Sequence, residues 1–166
     1  YSIPNLQVTV HHPEVNVPVL WWRSVGHTHT AFVMETMIDE LARSAKQDPI
    51  AFRLSLLDAK HTRHRAVLNL VRERSGWSKP PPAGRARGVA VHESFGTVCT
   101  HVAEVSVQGN QIRVHRVTSA IDCGIAVNPL TIDAQVQSAM VYGLSAALYG
   151  ECTVKDGRIE QTNFDS

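Results

Sequence analysis

Residues 88–118, GVAVHESFGTVCTHVAEVSVQGNQIRVHRVT, decide the type of fold, because valines here alternate with polar residues. Val89, Val91 and, further along, Val102 follow this period of two, which is typical of half-buried strands. Gln108-Gly109-Asn110 separates two such runs by the spacing of an antiparallel hairpin, and its glycine can supply a positive φ. The stretch therefore predicts an antiparallel sheet.

Three helices are predicted on the N-terminal side of this sheet. Thr28 or Thr30 can cap the first helix, which runs to about Ser44. Its apolar residues are expected on one face and its carboxylates on the other: Phe32, Val33, Met37, Ile38 and Leu41 against Glu35, Asp39 and Glu40. Asp48-Pro49 then begins a short capped helix with apolar residues at 50, 52, 54 and 57, and a third helix covers about 64–74.

The remaining segments complete an α+β fold. Residues 76–87 are a Pro-rich linker between a strand plus helical segment (1–75) and a hairpin-helix-hairpin segment (88–166). In the last segment a helix runs from Pro129 or Thr131 to Tyr149, and Asp156-Gly157 is the turn of a closing hairpin with arms at 152–155 and 158–162. The first residues are expected to form a strand, since Val8 and Val10 alternate with polar neighbours. We expect two layers, with helices packed on a mixed, antiparallel-rich sheet.

Composition excludes several classes of protein. Sixteen basic residues against fifteen acidic ones give a net charge of +1, without the basic stripe that binding to nucleic acid requires. No apolar run approaches the roughly 18 to 20 residues of a membrane span. The cysteines are widely spaced and odd in number, which does not favour a disulfide framework. The first residues resemble neither a signal peptide nor a natural start, so we expect a piece of a longer polypeptide.

The nine histidines do not predict a metal site. Adjacent His11 and His12 would point to opposite faces of a strand, and the pair His61 and His64 has no third ligand nearby in the sequence. A dyad in which Asp122 or Glu93 orients a histidine such as His92 or His115 is an alternative, but it has no local signature of an activated nucleophile. We therefore expect no metal ligands among the side chains.

Two segments have spacings that suit a cofactor. The loop Trp21–Gly26 places Arg23 and backbone N–H groups beside a helix N-terminus, where anions bind readily; alternatively the tryptophans are core residues and Arg23 pairs with a carboxylate. In the later helix, Ala139, Gly143 and Ala147 form a thin side with Gln135 one turn earlier. A cofactor could lie there, with the amide of Gln135 donating and accepting hydrogen bonds, or another backbone could pack closely. The spacing leaves both alternatives open.

Several motifs resemble those of the xanthine oxidase and aldehyde oxidoreductase superfamily of molybdenum hydroxylases, in the right order and over most of the chain. The matching segments are YSIPN (1–5), WRSVG (22–26), DPIAFR (48–53), DCGIAVNP (122–129), AQVQSA (134–139) and YGL (142–144). They resemble the family's Tyr-x-Ile-Pro-Asn, Phe-Arg-Gly-Phe-Gly, Asp-Pro-x-x-Phe-Arg, Asp-x-Gly-x-x-x-Asn-Pro, Gly-Gln-Val-x-Gly-Ala and Gln-Gly-Leu-Gly.

Two departures from these motifs make the chain resemble the β subunit of isoquinoline 1-oxidoreductase and related bacterial aldehyde dehydrogenases. The family's Gly-Phe is Ser24-Val25 here, which leaves a wider pocket and removes an aromatic contact with the substrate. The Gly-Gln-Gly segment that xanthine oxidase carries before its Asp-x-Gly motif is also missing. In the isoquinoline-type branch that segment lies earlier in the chain.

The resemblance implies that residues 1–166 are part of a molybdopterin-binding domain in a large subunit. Arg23, Ser24, Val25 and Gly26 would lie beside the molybdenum, and Gln135 would contact the pterin. The implied cofactor is molybdopterin cytosine dinucleotide with molybdenum, and no side chain need bind the metal because the pterin dithiolene carries it. The catalytic glutamate of the family lies beyond Ser166, so the isolated fragment is expected to be inactive.

The implied partners are the rest of the large subunit, a small 2Fe-2S subunit and an N-heterocycle or aldehyde substrate. The bacterial cytoplasm and periplasm are both compatible with the sequence. Two other hypotheses are a non-catalytic binding or scaffolding module of the same fold and a metal hydrolase that uses His27 and His29. Flanking sequence would distinguish the first alternative from the enzyme, and zinc content would test the second.

Overall fold

The computed structural model describes residues 1–14 and 20–163. Within these residues there are four helices and five strands. The helices are α1 (His27–Ser44), α2 (Pro49–Ser55), α3 (Thr62–Arg74) and α4 (Pro129–Leu148), and the strands are β1 (Ala86–Ser94), β2 (Thr97–Gln108), β3 (Gln111–Asp122), β4 (Val154–Lys155) and β5 (Arg158–Ile159).

The sheet predicted from residues 88–118 is confirmed as three antiparallel strands in the order β1-β2-β3. Gln108 pairs with Gln111 across the expected Gly109-Asn110 turn, and Ser94 pairs with Thr97 across Phe95-Gly96. Both glycines have a positive φ, as tight hairpins require. The alternation places Val89 on the same side of the sheet as its cross-strand partner in β2, Val102.

The chain forms two compact units. The first consists of Tyr1–Leu6 and Trp22–Ala126, and contains α1 to α3 with the three-stranded sheet. The second contains α4 and the hairpin β4-β5, together with described residues before Trp22. The turn of that hairpin is Asp156-Gly157 as predicted, but each arm has only two residues and is shorter than expected.

The core of the first unit lies between the helices α2 and α3 and one face of the sheet, which confirms the α+β fold with helices packed on an antiparallel sheet. Its buried apolar residues come from these elements and the α2-α3 connection: Ile50, Leu57, Val67, Leu68, Val71, Val89, Val91, Val98, Val102 and Ala120. Asp48 caps α2, as predicted, by accepting a hydrogen bond from the backbone N–H of Ala51 at 2.8 Å. The role of residues 76–87 as a linker between the segments 1–75 and 88–166 remains a proposal.

The strand expected at the start of the chain was a wrong prediction. Residues 1–14 belong to no helix or strand and have a bend at residues 4 and 5. Their attachment includes a hydrogen bond from the N–H of Ser2 to the carbonyl of Leu56 at 2.7 Å. Alternating valines form a strand only where a partner offers backbone groups, and the described part of the chain offers none to Val8 and Val10.

The two faces of α1 agree only in part with the prediction, because Ile38 is buried beside Glu35 and apart from the other apolar residues predicted on its face. Glu35 is buried with Ile38 and Ala42, whereas Phe32, Val33, Met37 and Leu41 are between 47% and 70% exposed. The reason is the guanidinium of Arg53 in α2, which is wholly buried and forms ion pairs with Glu35 and Asp39. These ion pairs hold the side of α1 that carries the two carboxylates against α2. The capping prediction also fails: Gly26 is the N-cap, and the hydroxyls of Thr28 and Thr30 donate to the carbonyls of Arg23 and Gly26.

Replacing Asp48 by alanine is expected to lower the free energy of unfolding by about 1–2 kcal/mol. The carboxylate caps α2 and also accepts a hydrogen bond from the indole Nε1 of Trp77 at 2.6 Å, so the change removes two bonds. Urea denaturation followed by tryptophan fluorescence measures the loss. Asp133→Ala, which removes only an exposed contact with Gln137 on α4, should change the value by less than about 0.5 kcal/mol.

Candidate cofactor site

The loop Trp22–Gly26 has an unusual backbone. Ser24 and Val25 both have left-handed φ values, 66° and 52°, and a β-branched residue rarely adopts that conformation. Two turns hold the loop, because the N–H of Val25 donates to the carbonyl of Trp22 and that of His27 to the carbonyl of Ser24, each at 3.0 Å. Strained backbone of this kind is common at ligand sites, so the loop is a candidate for contact with a cofactor.

The same hydrogen bonds correct one expectation about anion binding. The N–H groups of Val25, His27 and Thr28 are directed back to carbonyls of the loop, so they do not point outward as a free helix N-terminus would. The attraction for an anion therefore depends chiefly on Arg23, which is exposed. Its surroundings favour this role, since α1 has no acidic residue in its first turn.

Replacing Val25 by glycine is expected to stabilise the protein by about 1 kcal/mol, because glycine adopts a positive φ without steric strain. Thermal or urea unfolding of the purified protein provides the measurement. Val107→Gly is the matched control, because the same change in the exposed part of β2 should destabilise by about 1 kcal/mol. If Val25→Gly destabilised as much as the control, the strain at this loop would be disproved.

Arg53 is the centre of a buried polar network that anchors α1. Its Nε donates to Glu35 at 2.8 Å and one terminal nitrogen donates to Asp39 at 2.6 Å. Glu35 in turn accepts the N–H of Val91 in β1 at 2.9 Å and the phenol of Tyr1 at 2.7 Å. Burial would lower the pKa of Arg53, but the two carboxylates outweigh it and raise that pKa. The network fixes the helix that follows the strained loop.

An open groove of about 340 Å³ runs between α1 and the edge strand β1. Six of its lining residues are Phe32, Glu35, Asp39, His92, Cys99 and His101. Burial lowers the pKa of His101 and raises that of the Cys99 thiol. The imidazole of His101 and the thiol of Cys99 are therefore neutral near pH 7. Neither side chain gives the groove a positive charge that would attract an anion.

The two histidines named as members of a possible dyad, His92 and His115, have other partners. His92 shares a hydrogen bond with His27 at 2.8 Å, and His115 shares one with Ser106 at 2.8 Å. Asp122 pairs instead with Arg63, and Glu93 with His64, so the two carboxylates do not orient His92 or His115 in the manner of a dyad. Within residues 1–14 and 20–163, no group of three or more potential ligands could hold a metal ion.

The Asp-x-Gly motif has a structural role in the first unit. Asp122 accepts hydrogen bonds from Arg63 at 2.9 Å and from the N–H of Gly124 at 3.0 Å. Gly124 has a φ of 80°, which explains the requirement for glycine. The same Arg63 donates to the carbonyl of Gly96 at 2.8 Å. It thereby joins the first hairpin turn to the end of β3.

Helix α4 carries the second predicted segment. Asn128 caps it by accepting from the N–H groups of Leu130 and Thr131, and Pro129 occupies the first turn, so both residues shape the entry into the helix. Gln135 is exposed. A Cβ added to Gly143 would meet nothing within 4 Å. Among the described residues the thin side of α4 is thus open, and none of its side chains is buried.

The residues present are compatible with a molybdopterin. Arg23 offers a permanent positive charge to an anionic group, and Ser24 offers a hydroxyl. Gln135 offers an amide that can both donate and accept, as pterin edges require. Gly26 leaves space as well, since an added Cβ would approach only His29, at 3.9 Å.

None of the described helices has the length and apolar character that crossing a membrane requires.

Three known proteins are similar to this chain over most of its length. The beta chain of isoquinoline 1-oxidoreductase from Brevundimonas diminuta is 31% identical over 169 residues, covering 99% of this chain and 22% of its own. A membrane-bound aldehyde dehydrogenase (pyrroloquinoline-quinone) of Gluconacetobacter polyoxogenes is 28% identical, with coverages of 88% and 22%. A nicotinate dehydrogenase subunit of Pseudomonas putida is 26% identical, with coverages of 96% and 15%.

The chain thus spans about a fifth of the length of the curated relatives it matches. The profile of the family described as "Molybdopterin cofactor-binding domain" matches residues 28–166. This match includes α1 without its first residue, α2 to α4 and all five strands, and it begins two residues after Gly26. The chain therefore belongs to the molybdopterin cofactor-binding domain family.

Proposed function

We propose that this chain is part of the large subunit of a molybdenum hydroxylase, in which the loop Trp22–Gly26 lies beside the molybdenum. The observation that carries the proposal is the left-handed strain at Ser24 and Val25, three residues before the region that matches the family. Strained backbone persists only where the surrounding structure holds it, and it often lies at ligand contacts. The neighbouring Arg23 is the charged group of this loop.

The chain's own contribution is to bind and orient. When bound, the cofactor supplies two-electron oxidation of a substrate carbon with oxygen taken from water. Arg23 would bring a positive charge to an anionic group, with Ser24 as a hydrogen-bond donor. Val25 would leave room for the substrate where the family has a phenylalanine. Gln135 would separately hydrogen-bond the pterin, and the proton would be accepted by a glutamate outside these 166 residues.

We further propose a molybdopterin in its cytosine dinucleotide form and a substrate that is an N-heterocycle or an aldehyde. The names of the relatives support these classes, since they mention isoquinoline, aldehyde and nicotinate. Two of those relatives are named as subunits. The partners proposed for this chain are the rest of the large subunit and a small 2Fe-2S subunit that removes electrons.

The test uses the full-length protein purified with its partner subunits. Acid hydrolysis of the bound cofactor should release cytidine monophosphate. Turnover of isoquinoline, nicotinate or an aldehyde in ¹⁸O-labelled water should place the label in the product. A product labelled from O₂, or a bound quinone in place of the pterin, would contradict the proposal. The released nucleotide and the origin of the oxygen are read separately, so the two parts of the proposal can fail independently.

A non-catalytic scaffolding module is the second candidate. It is favoured by the exposed apolar side of α1, formed by Val33, Met37 and Leu41, since a surface of this kind suits packing against other protein. The two candidates differ in the full-length protein, where a scaffold would contain neither molybdenum nor pterin. Met37→Ala would then weaken assembly with other protein, and a scaffold would have no catalytic activity for the change to reduce.

A further inference from the structure

His27 and His92 form a direct link between the strained loop and the sheet. Nδ1 of His27 and Nε2 of His92 lie 2.8 Å apart, and the ring centroids are 5.0 Å apart in an edge-on arrangement. The ring of Phe95, at the β1-β2 turn, lies 6.1 Å from that of His27. His27 is the first residue of α1 and follows Gly26 directly, whereas His92 belongs to β1.

The His27–His92 link differs in kind from the backbone hydrogen bonds of the loop. The bonds from Val25 to Trp22 and from His27 to Ser24 connect the loop only to itself. By contrast, the residue before His92 is Val91, which is buried in the core and donates its N–H to Glu35. The hydrogen bond between the rings of His27 and His92 therefore attaches the start of α1 to the sheet.

We propose that His92 is a positioning residue for the loop Trp22–Gly26, that it acts through His27, and that acidification releases the loop. A hydrogen bond between two imidazoles requires one nitrogen to donate and the other to accept. When both rings are protonated, all four nitrogens are donors and the bond is lost. The two like charges then also repel each other. The relevance for a cofactor rests on the proposed function above.

The charged and titratable groups around the pair define the direction of the pH effect. Burial, and then His27, lowers the pKa of His92, while Glu35 from α1 and Glu93 from β1 act in the opposite sense. Glu93 is shared with His64. From β2, Cys99 stands opposite His92, and burial raises the pKa of its thiol. Arg23 and His29 are the ionisable groups of the adjoining loop and first helical turn.

The direction of the effect follows from the lowered pKa. The folded protein binds a proton at His92 less readily than the unfolded chain, whose histidines have a pKa of about 6.5. The contribution of the pair to stability is therefore complete above about pH 6.5 and declines as the pH falls below that value. The loop should be held at neutral pH and released in mild acid.

Hydrogen exchange of the cofactor-free protein tests this inference. The protection factors of the amides of Val25 and His27, corrected for the intrinsic effect of pH, should fall about fivefold or more between pH 7.5 and pH 5. In His92→Leu they should be low at both pH values. In His92→Gln, which keeps a hydrogen-bonding group but gains no proton, they should stay high at both.

His115→Asn is the matched control, because it removes a histidine whose pKa is also lowered by burial but which bonds to Ser106. It should leave the wild-type behaviour of the loop intact. Equal protection in wild type and His92→Leu at pH 7.5, or an undiminished acid response in His92→Gln, would overturn the proposal. If His92→Leu did not fold, the protection factors of His92→Gln at pH 7.5 and pH 5 would decide for or against the proposal. Because no cofactor is present, a failure of the proposed function does not alter the outcome.

Discussion

Replacing Arg53 by methionine is expected to lower the free energy of unfolding of the first unit by about 3–5 kcal/mol. The guanidinium is wholly buried and bonds to Glu35 and Asp39, so its removal leaves the nearly buried carboxylate of Glu35 without its cationic partner. Such a loss is a large part of the stability of an ordinary domain. Urea denaturation monitored by circular dichroism provides the measurement.

Arg85→Met is the matched control for Arg53→Met. Arg85 also pairs with a carboxylate, that of Glu104, but it is more exposed and Arg87 bonds to the same carboxylate. Its replacement should therefore cost less than about 1 kcal/mol. Adding Glu35→Leu to Arg53→Met should recover part of the loss, because it removes the uncompensated charge. Equal effects of the two arginine changes would show that the buried network is not the anchor of α1.

Replacing Arg23 by leucine in the full-length enzyme should lower kcat/KM on the order of 10²-fold. The proposed role of the guanidinium is to hold positive charge against an anionic group beside the molybdenum, and leucine supplies none. Because Arg23 is exposed in this structure, the free energy of unfolding should change by less than about 0.5 kcal/mol. Steady-state kinetics and urea denaturation of the same preparation separate the two effects.

Two further variants sharpen the test of Arg23. Arg23→Lys keeps the charge but loses the planar fork of donors, so its activity should lie between those of wild type and the leucine variant. Arg43→Leu, at the other end of α1, should leave kcat/KM unchanged within about twofold. Full activity of Arg23→Leu would remove the loop from the proposed cofactor contacts.

The sequence predicted best those features that depend on neighbouring residues. The hairpin turn at Gly109-Asn110, the cap at Asp48 and the start of α4 at Pro129 follow from local turn and capping chemistry, and all three are confirmed. The strand expected around Val8 and Val10 depended on a distant partner, which the alternation of residues does not reveal.

The orientation of α1 could not be predicted from its own residues, because the partner of Glu35 lies on another helix. One signal was nevertheless present in the sequence. Ile50 and Arg53 are spaced by three residues, which places the arginine on the same face of its helix as a buried apolar residue. A buried arginine requires carboxylates, and α1 supplies them. The left-handed backbone at Ser24 and Val25 had no such signal, since neither residue favours that conformation.

Molybdenum content is the most direct measure of whether this chain belongs to a molybdenum hydroxylase. The full-length protein, purified with its partner subunits from cells grown with molybdate, should contain about one molybdenum atom per large subunit, together with the pterin. Elemental analysis and identification of the oxidised pterin by fluorescence give the two values on one sample. A preparation that oxidises its substrate at full rate without molybdenum would contradict the account.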